Sequence, residues 1–128
     1  MRYNHFLGDD LTHTLKWLLA GAGDISRKRA APALNAARGS RIIAVCDPDE
    51  RRASDLARDF GVEAVYRDYG EALRRSGANA AYIATPVGLH VPMTIDALRS
   101  GCHTLLEKPL GLTYEDALSA VEAARDAG

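Results

Sequence analysis

The chain is poor in the features that commit a protein to an unusual environment. Of its 128 residues only Cys46 and Cys102 are cysteines. Each sits inside an apolar, strand-like run with no second cysteine nearby, so neither a zinc knuckle nor a redox pair is suggested, and both read as buried reduced thiols. Neither sign of charge is in excess: 16 basic against 17 acidic side chains leave a formal net charge of -1 and no electrostatic footprint for nucleic acid or an anionic membrane. No apolar run approaches a membrane span. Met1 to Thr14 carries Asp9, Asp10 and two histidines where a signal peptide needs an apolar core, so a cytoplasmic location is the default expectation. Repeats and low-complexity stretches are missing. So are a Walker lysine, a His-Glu-x-x-His pair, a serine-centred elbow and the Tyr-x-x-x-Lys pair of a short-chain dehydrogenase.

What is present is 47% hydrophobic residues, enough for one core in one globular domain. That domain is expected over residues 15–128, with residues 1–14 as a frayed tail or short extra element. Short apolar runs alternate with longer stretches of helical period, the pattern of an α/β, doubly wound parallel sheet with helices on both faces. Strands are expected at about 16–21, 41–47, 62–66, 80–85 and 102–107, and helices at about 25–38, 49–60, 68–76, 88–100 and 113–127. Asp49 and Thr113 are placed to cap helices, and Gly39, Gly61 and Gly101 to end them in left-handed turns. Pro32 falls inside the first helical pattern and predicts a kink. Trp17 reads as core, as do Leu34, Leu56, Leu73, Ile95, Leu98, Leu118 and Val121 at helical spacing.

The strongest local signal is Leu18-Leu19-Ala20-Gly21-Ala22-Gly23-Asp24-Ile25-Ser26, an apolar run that breaks into two glycines and then opens a helix. Gly21 can make the tight turn and Gly23 can let backbone approach a pyrophosphate, with the N–H groups around Asp24 and Ile25 turned toward the anion. Ser26 stands where a third glycine is usual, so the motif is incomplete. Asp24 itself places a negative charge where the anion should sit, and capping the helix is its expected job. Arg27, Lys28 and Arg29 read as a solvated face. The second strand ends at Asp47, 26 residues after Gly21, against a usual spacing of roughly 20. Its carboxylate suits the adenosine ribose hydroxyls and leans the cofactor toward NAD over NADP; the bland alternative is a turn residue before Pro48. Arg51 and Arg52, just beyond, pull the other way because either can reach a 2′-phosphate.

Two further clusters fall at expected strand ends: Ala84-Thr85-Pro86-x-x-x-His90 and Glu107-Lys108-Pro109. In an open parallel sheet that edge is where ligands bind, so Asp47, Thr85, His90 and Lys108 should converge on one crevice. In these residues the chain resembles the glucose-fructose oxidoreductase, inositol dehydrogenase and rhizopine-catabolism (Gfo/Idh/MocA) oxidoreductase family. The likeness is carried by Gly21-Ala22-Gly23-Asp24-Ile25, Ala44-Val45-Cys46-Asp47, Ala84-Thr85-Pro86-Val87-Gly88-Leu89-His90 and Ala97-Leu98-x-x-Gly101-x-His103-x-x-x-Glu107-Lys108-Pro109-Leu110.

The resemblance implies NAD or NADP on a Rossmann domain and hydride exchange with a sugar, cyclitol or related carbon. Lys108 would then stand beside the reacting centre as base or alkoxide stabiliser. His90 would lie near nicotinamide and substrate, the alternative being a helix-start histidine bonded to backbone. Glu107 would hold the nicotinamide ribose or orient Lys108, and Thr85 and Pro86 would line the pyrophosphate and ribose. Pro109 raises the chance of a cis peptide after Lys108. His103 is expected to pack at the start of its strand.

Family members normally continue into a second, substrate-holding domain, which this sequence does not include. The expectation is therefore a chain that binds nicotinamide dinucleotide but turns over sugar-like substrates poorly by itself. No metal site is expected. The unpaired sheet edge leaves a homo-oligomer open. A methyltransferase is disfavoured by Ile25 where that fold prefers glycine. The alternative from another class is a non-catalytic dinucleotide-binding or sensing module, which would not depend on Lys108 for any rate.

Overall fold

A computed structural model describes residues 14–128; the expected tail over residues 1–14 lies outside them except for Thr14. Five parallel strands, β1 (Leu15–Ala20), β2 (Ser40–Cys46), β3 (Ala64–Tyr66), β4 (Ala80–Ile83) and β5 (His103–Leu106), lie in the order β3-β2-β1-β4-β5. Chain order reverses between β1 and β4. The connections leaving those two strands diverge there, and the crevice between them is where an open α/β sheet binds ligands.

The helices are α1 (Ala31–Ala36), α2 (Glu50–Asp59), α3 (Tyr69–Arg75), α4 (His90–Arg99) and α5 (Tyr114–Ala127). Alternation along β1 sends Trp17 and Leu19 to one face with Leu56 of α2, and Leu18 to the other with Ala72 of α3, so both faces of the sheet are covered. Leu18, Leu19 and Leu56 are wholly buried, each stabilising the fold by about 1.5–3 kcal/mol. Asp49, Asp68 and Thr113 cap α2, α3 and α5 by accepting the backbone N–H three residues on. Gly39, Gly61 and Gly101 take positive φ.

Pro32 acts one turn earlier than a simple kink would. The chain is helical over 24–36, but Ser26–Ala30 is a π-helical turn closed by the Ala31 N–H on the Ser26 carbonyl. Proline has no N–H for the carbonyl four residues back and its ring crowds that oxygen, so the preceding turn widens.

Two expectations need correction. Leu118 and Val121 are each 37% exposed rather than core, because α5 packs on α4 and buries Ala120 there instead of a broad stripe against the sheet. His103 is exposed, since β5 is an outer strand of the sheet among the described residues. No helix among the described residues is long and apolar enough to cross a membrane.

Candidate functional site

The site is built on strand ends. Gly21 follows β1 at φ +99°, donates its N–H to the Cys46 carbonyl at 2.8 Å, and lies so close to the end of β4 that a Cβ there would stand 2.5 Å from the Ala84 oxygen. Only glycine permits that approach. Gly23 is different: a Cβ added to it meets nothing within 4 Å. The first helical turn leaves N–H groups over residues 23–25 without an intrahelical acceptor, and Ile25 is partly exposed beside them. Ser26, at the position of the missing third glycine, is fully buried, and its hydroxyl donates to the Gly21 carbonyl at 2.5 Å. Nothing in the local sequence signals that bond.

Asp47 is only 8% exposed. One carboxylate oxygen accepts the Ala22 N–H at 2.8 Å and the other the Asp49 N–H at 2.8 Å, so the side chain ties the glycine loop to the end of β2. Asp47 thus bonds across its own turn and ties to the neighbouring loop, a tie that the sequence did not reveal. Arg51 and Arg52 are exposed. Asp24 does not cap the helix: it lies inside the first turn, where its carboxylate accepts from Lys28 at 2.8 Å. The Lys28 ammonium, with Arg27 and Arg52 adding at longer range, holds the Asp24 carboxyl below its ordinary value. Arg27 pairs with Asp59. These charges therefore neutralise one another at the surface, where such pairs contribute little to stability.

On the other side of the crevice, Thr85 follows β4 with its hydroxyl on the Met93 sulfur at 3.3 Å, and Pro86 precedes a 3-10 turn, Val87–Leu89. His90 opens α4 but is 2% exposed. Its Nδ1 lies 2.7 Å from the Pro109 carbonyl and its Nε2 2.8 Å from the Thr85 carbonyl. Both partners are acceptors, so the ring serves them as a donor; a neutral imidazole has one N–H and serves one of them at a time. Both nitrogens are turned toward backbone carbonyls, the arrangement expected of a helix-start histidine bonded to backbone.

Glu107 extends β5 by donating its N–H to the Ile83 carbonyl at 2.9 Å, and its carboxylate accepts the Tyr82 hydroxyl at 2.7 Å. Tyr82 was not singled out by the sequence. Lys108 is exposed, and the Lys108-Pro109 peptide is cis. The predicted residues therefore form one connected rim: Asp47 touches the glycine loop, Gly21 touches Ala84 and Thr85, and His90 joins Thr85 to Pro109. Arg52 and Asp24 flank it. Among the described residues no group of three or more His, Cys, Asp or Glu side chains could hold a metal ion.

Burial pushes the Cys46 thiol up from its ordinary 9.0 to about 12, with the carboxylates of Asp47 and Asp68 adding to the effect. Burial, reinforced by Glu107, likewise raises the Tyr82 phenol, and burial raises Cys102. Each folded group keeps its proton at a pH where the unfolded chain has lost it. Their stabilisation is complete below the unfolded values and is lost as pH climbs through the folded ones. Unfolding free energy is therefore expected to fall between pH 9 and about 12. Thiolate absorbance at 240 nm checks the cause: a Cys46 thiol that titrates near 9.0 in the folded chain would remove it.

The model of the Gfo/Idh/MocA oxidoreductase family, NAD-binding Rossmann fold, matches residues 15–128. A dTDP-3,4-didehydro-2,6-dideoxy-alpha-D-glucose 3-reductase of Streptomyces violaceoruber is 38% identical over 110 residues, which cover 86% of this chain and 32% of that protein. A scyllo-inositol 2-dehydrogenase (NAD(+)) of Bacillus subtilis is 30% identical over 118 residues, covering 92% and 34%. Among solved structures, KijD10, a 3-ketoreductase from Actinomadura kijaniata in complex with TDP-benzene and NADP, superposes with a TM-score of 0.83 at 32% identity, over 89% of this chain and 36% of that one. The chain spans about a third of the length of these relatives.

Proposed function

Since this chain belongs to the Gfo/Idh/MocA oxidoreductase family, we propose that its rim of strand ends holds a nicotinamide dinucleotide and serves hydride exchange with a sugar, cyclitol or related carbon. Gly23 carries this reading. It sits at the head of a helix, its φ is outside the positive region, and the space where a Cβ would go is empty. The fold makes no demand for glycine there, whereas a pyrophosphate lying against the N–H groups of residues 23–25 does.

The residues present fit the group. Gly21, Gly23, Asp24 and Ile25 would supply backbone to the diphosphate, with Thr85 and Pro86 opposite. Asp47 would turn its remaining lone pairs to the adenosine ribose, with Arg52 at the outer edge. A bound nicotinamide would supply the hydride acceptor or donor. NAD is the preferred form, because the carboxylates of Asp47 and Asp49 repel a 2′-phosphate. Arg51 and Arg52 oppose that preference, and the relatives include both an NAD(+) enzyme by name and an NADP complex.

Lys108 would face the reacting oxygen. In oxidation its amine would take the hydroxyl proton while hydride leaves carbon for the nicotinamide, and in reduction the resulting ammonium would return that proton to the carbonyl oxygen. Glu107 would reach the nicotinamide ribose or orient Lys108. Holding the substrate carbon in place needs walls beyond this rim, so turnover of polyols belongs to an assembly larger than these residues.

Calorimetric titration of the chain with NAD, NADP and S-adenosylmethionine tests the proposal. NAD is expected to bind best, and Gly23→Ala to weaken it about tenfold or more with the unfolding midpoint unchanged. Binding of neither dinucleotide, or preference for S-adenosylmethionine, would overturn it.

A further inference from the structure

We propose that Tyr82 and His90 are positioning residues for Lys108, gripping the Glu107-Lys108-Pro109 segment from both sides. The inference rests on the active-site reading of Lys108 given above. Lys108 is exposed, on a loop leaving an outer strand, where a long amine would ordinarily sample many positions. Its two chain neighbours are nevertheless fixed. The Tyr82 hydroxyl, rising from a strand residue 2% exposed, donates to the Glu107 carboxylate at 2.7 Å. The His90 ring, equally buried at the head of α4, reaches the Pro109 carbonyl at 2.7 Å.

Neither tie is needed by the core. Tyr82 could fill the same space as Phe, and a helix-start position has no general call for a buried imidazole. Both long-range bonds instead end on residues adjoining one lysine. The same ring also lies 2.8 Å from the Thr85 carbonyl, so although it donates to one carbonyl at a time it is seated between the lysine loop and the loop facing Gly21 rather than in solvent. Downstream the segment is seated again: a Cβ on Gly111 would stand 2.7 Å from the Asp116 Cβ and 3.2 Å from Val91 Cγ2, which leaves it wedged between α4 and α5. A lysine whose backbone is held at both ends loses less freedom when it meets a bound ligand, which is preorganisation.

The chain has three lysines, Lys16, Lys28 and Lys108, so reductive 13C-methylation gives a resolvable NMR signal for each. With NAD added, the Lys108 signal is expected to shift in the parent chain while Lys16 keeps its position. Tyr82→Phe and His90→Leu should each broaden or abolish the Lys108 shift and raise amide exchange over residues 107–111 about tenfold, with β1 amides unaffected. His90→Gln, which restores an N–H donor, should recover part of both.

An unchanged Lys108 response and unchanged exchange in Tyr82→Phe, which keeps the ring and the fold, would overturn the proposal even if His90→Leu fails to fold. If calorimetry finds no dinucleotide binding to the parent chain, the functional reading falls by itself; the exchange data still decide whether the grip exists.

Discussion

A chain carrying Gly21→Ala is expected to lose about 3 kcal/mol of stability and its dinucleotide affinity together. The added Cβ would stand 2.5 Å from the Ala84 oxygen, 2.8 Å from its carbonyl carbon and 3.2 Å from the Thr85 nitrogen, all backbone atoms with no rotamer to yield. Neither side can retreat. Gly21 donates to Cys46 on β2, and the Ala84 N–H donates to the Ala20 carbonyl at 2.9 Å, so the loop is pinned between two strands. The φ of +99° adds a conformational cost that any L side chain bears. Against a domain stability of about 5–15 kcal/mol this is a large fraction. Urea unfolding reads it directly, and Gly23→Ala is the matched control because its Cβ meets no atom. Equal unfolding midpoints for the two variants would show that the close approach of β1 to β4 does not exist in solution.

Asp47→Asn is expected to cost about 2 kcal/mol although it changes almost no volume. The carboxylate accepts an N–H on each oxygen, from Ala22 and from Asp49. An amide has one acceptor oxygen, so its NH2 must face a backbone donor and one buried N–H goes unpaired. The Ala22 loop loosens as a result, and NAD affinity falls. Removing the negative charge also relieves repulsion of a 2′-phosphate, so the NADP-to-NAD affinity ratio should rise. Unchanged stability with weakened NAD would mean that Asp47 serves only the ribose; unchanged stability and affinity would remove it from both roles.

Part of this was open to reading in the residue order. Ile42-Ile43-Ala44-Val45-Cys46 and Ala80-Ala81-Tyr82-Ile83-Ala84 are continuous apolar runs because β2 and β4 are buried on both faces. The Asp49 and Thr113 caps are local bonds over three residues, and local bonds leave a local signature. Asp24 misled for the same reason. Its position before a helical pattern fits a cap, yet Lys28, four residues on, offers an ammonium that a backbone N–H does not match.

Bonds that follow no helical or strand period were illegible. Ser26 read as a defect in a glycine pattern, while in the fold its hydroxyl closes the loop on Gly21. His90 reads as a chemical group, while in the fold its nitrogens meet the Thr85 carbonyl five residues back and the Pro109 carbonyl of another loop. Tyr82 and Glu107 are 25 residues apart, and neither position carries a periodicity that names the other.

Residue order alone determined the alternation of strands and helices, the glycine turn after the first strand and the placing of polar motifs at strand ends, since each follows from hydrophobic period or from one residue's backbone freedom. The tertiary structure decided which of those polar groups are spent on one another. A hydrogen bond between distant residues depends on strand order and separation in space, and for Asp47, His90 and Glu107 these exist only once β1, β2, β4 and β5 have assembled.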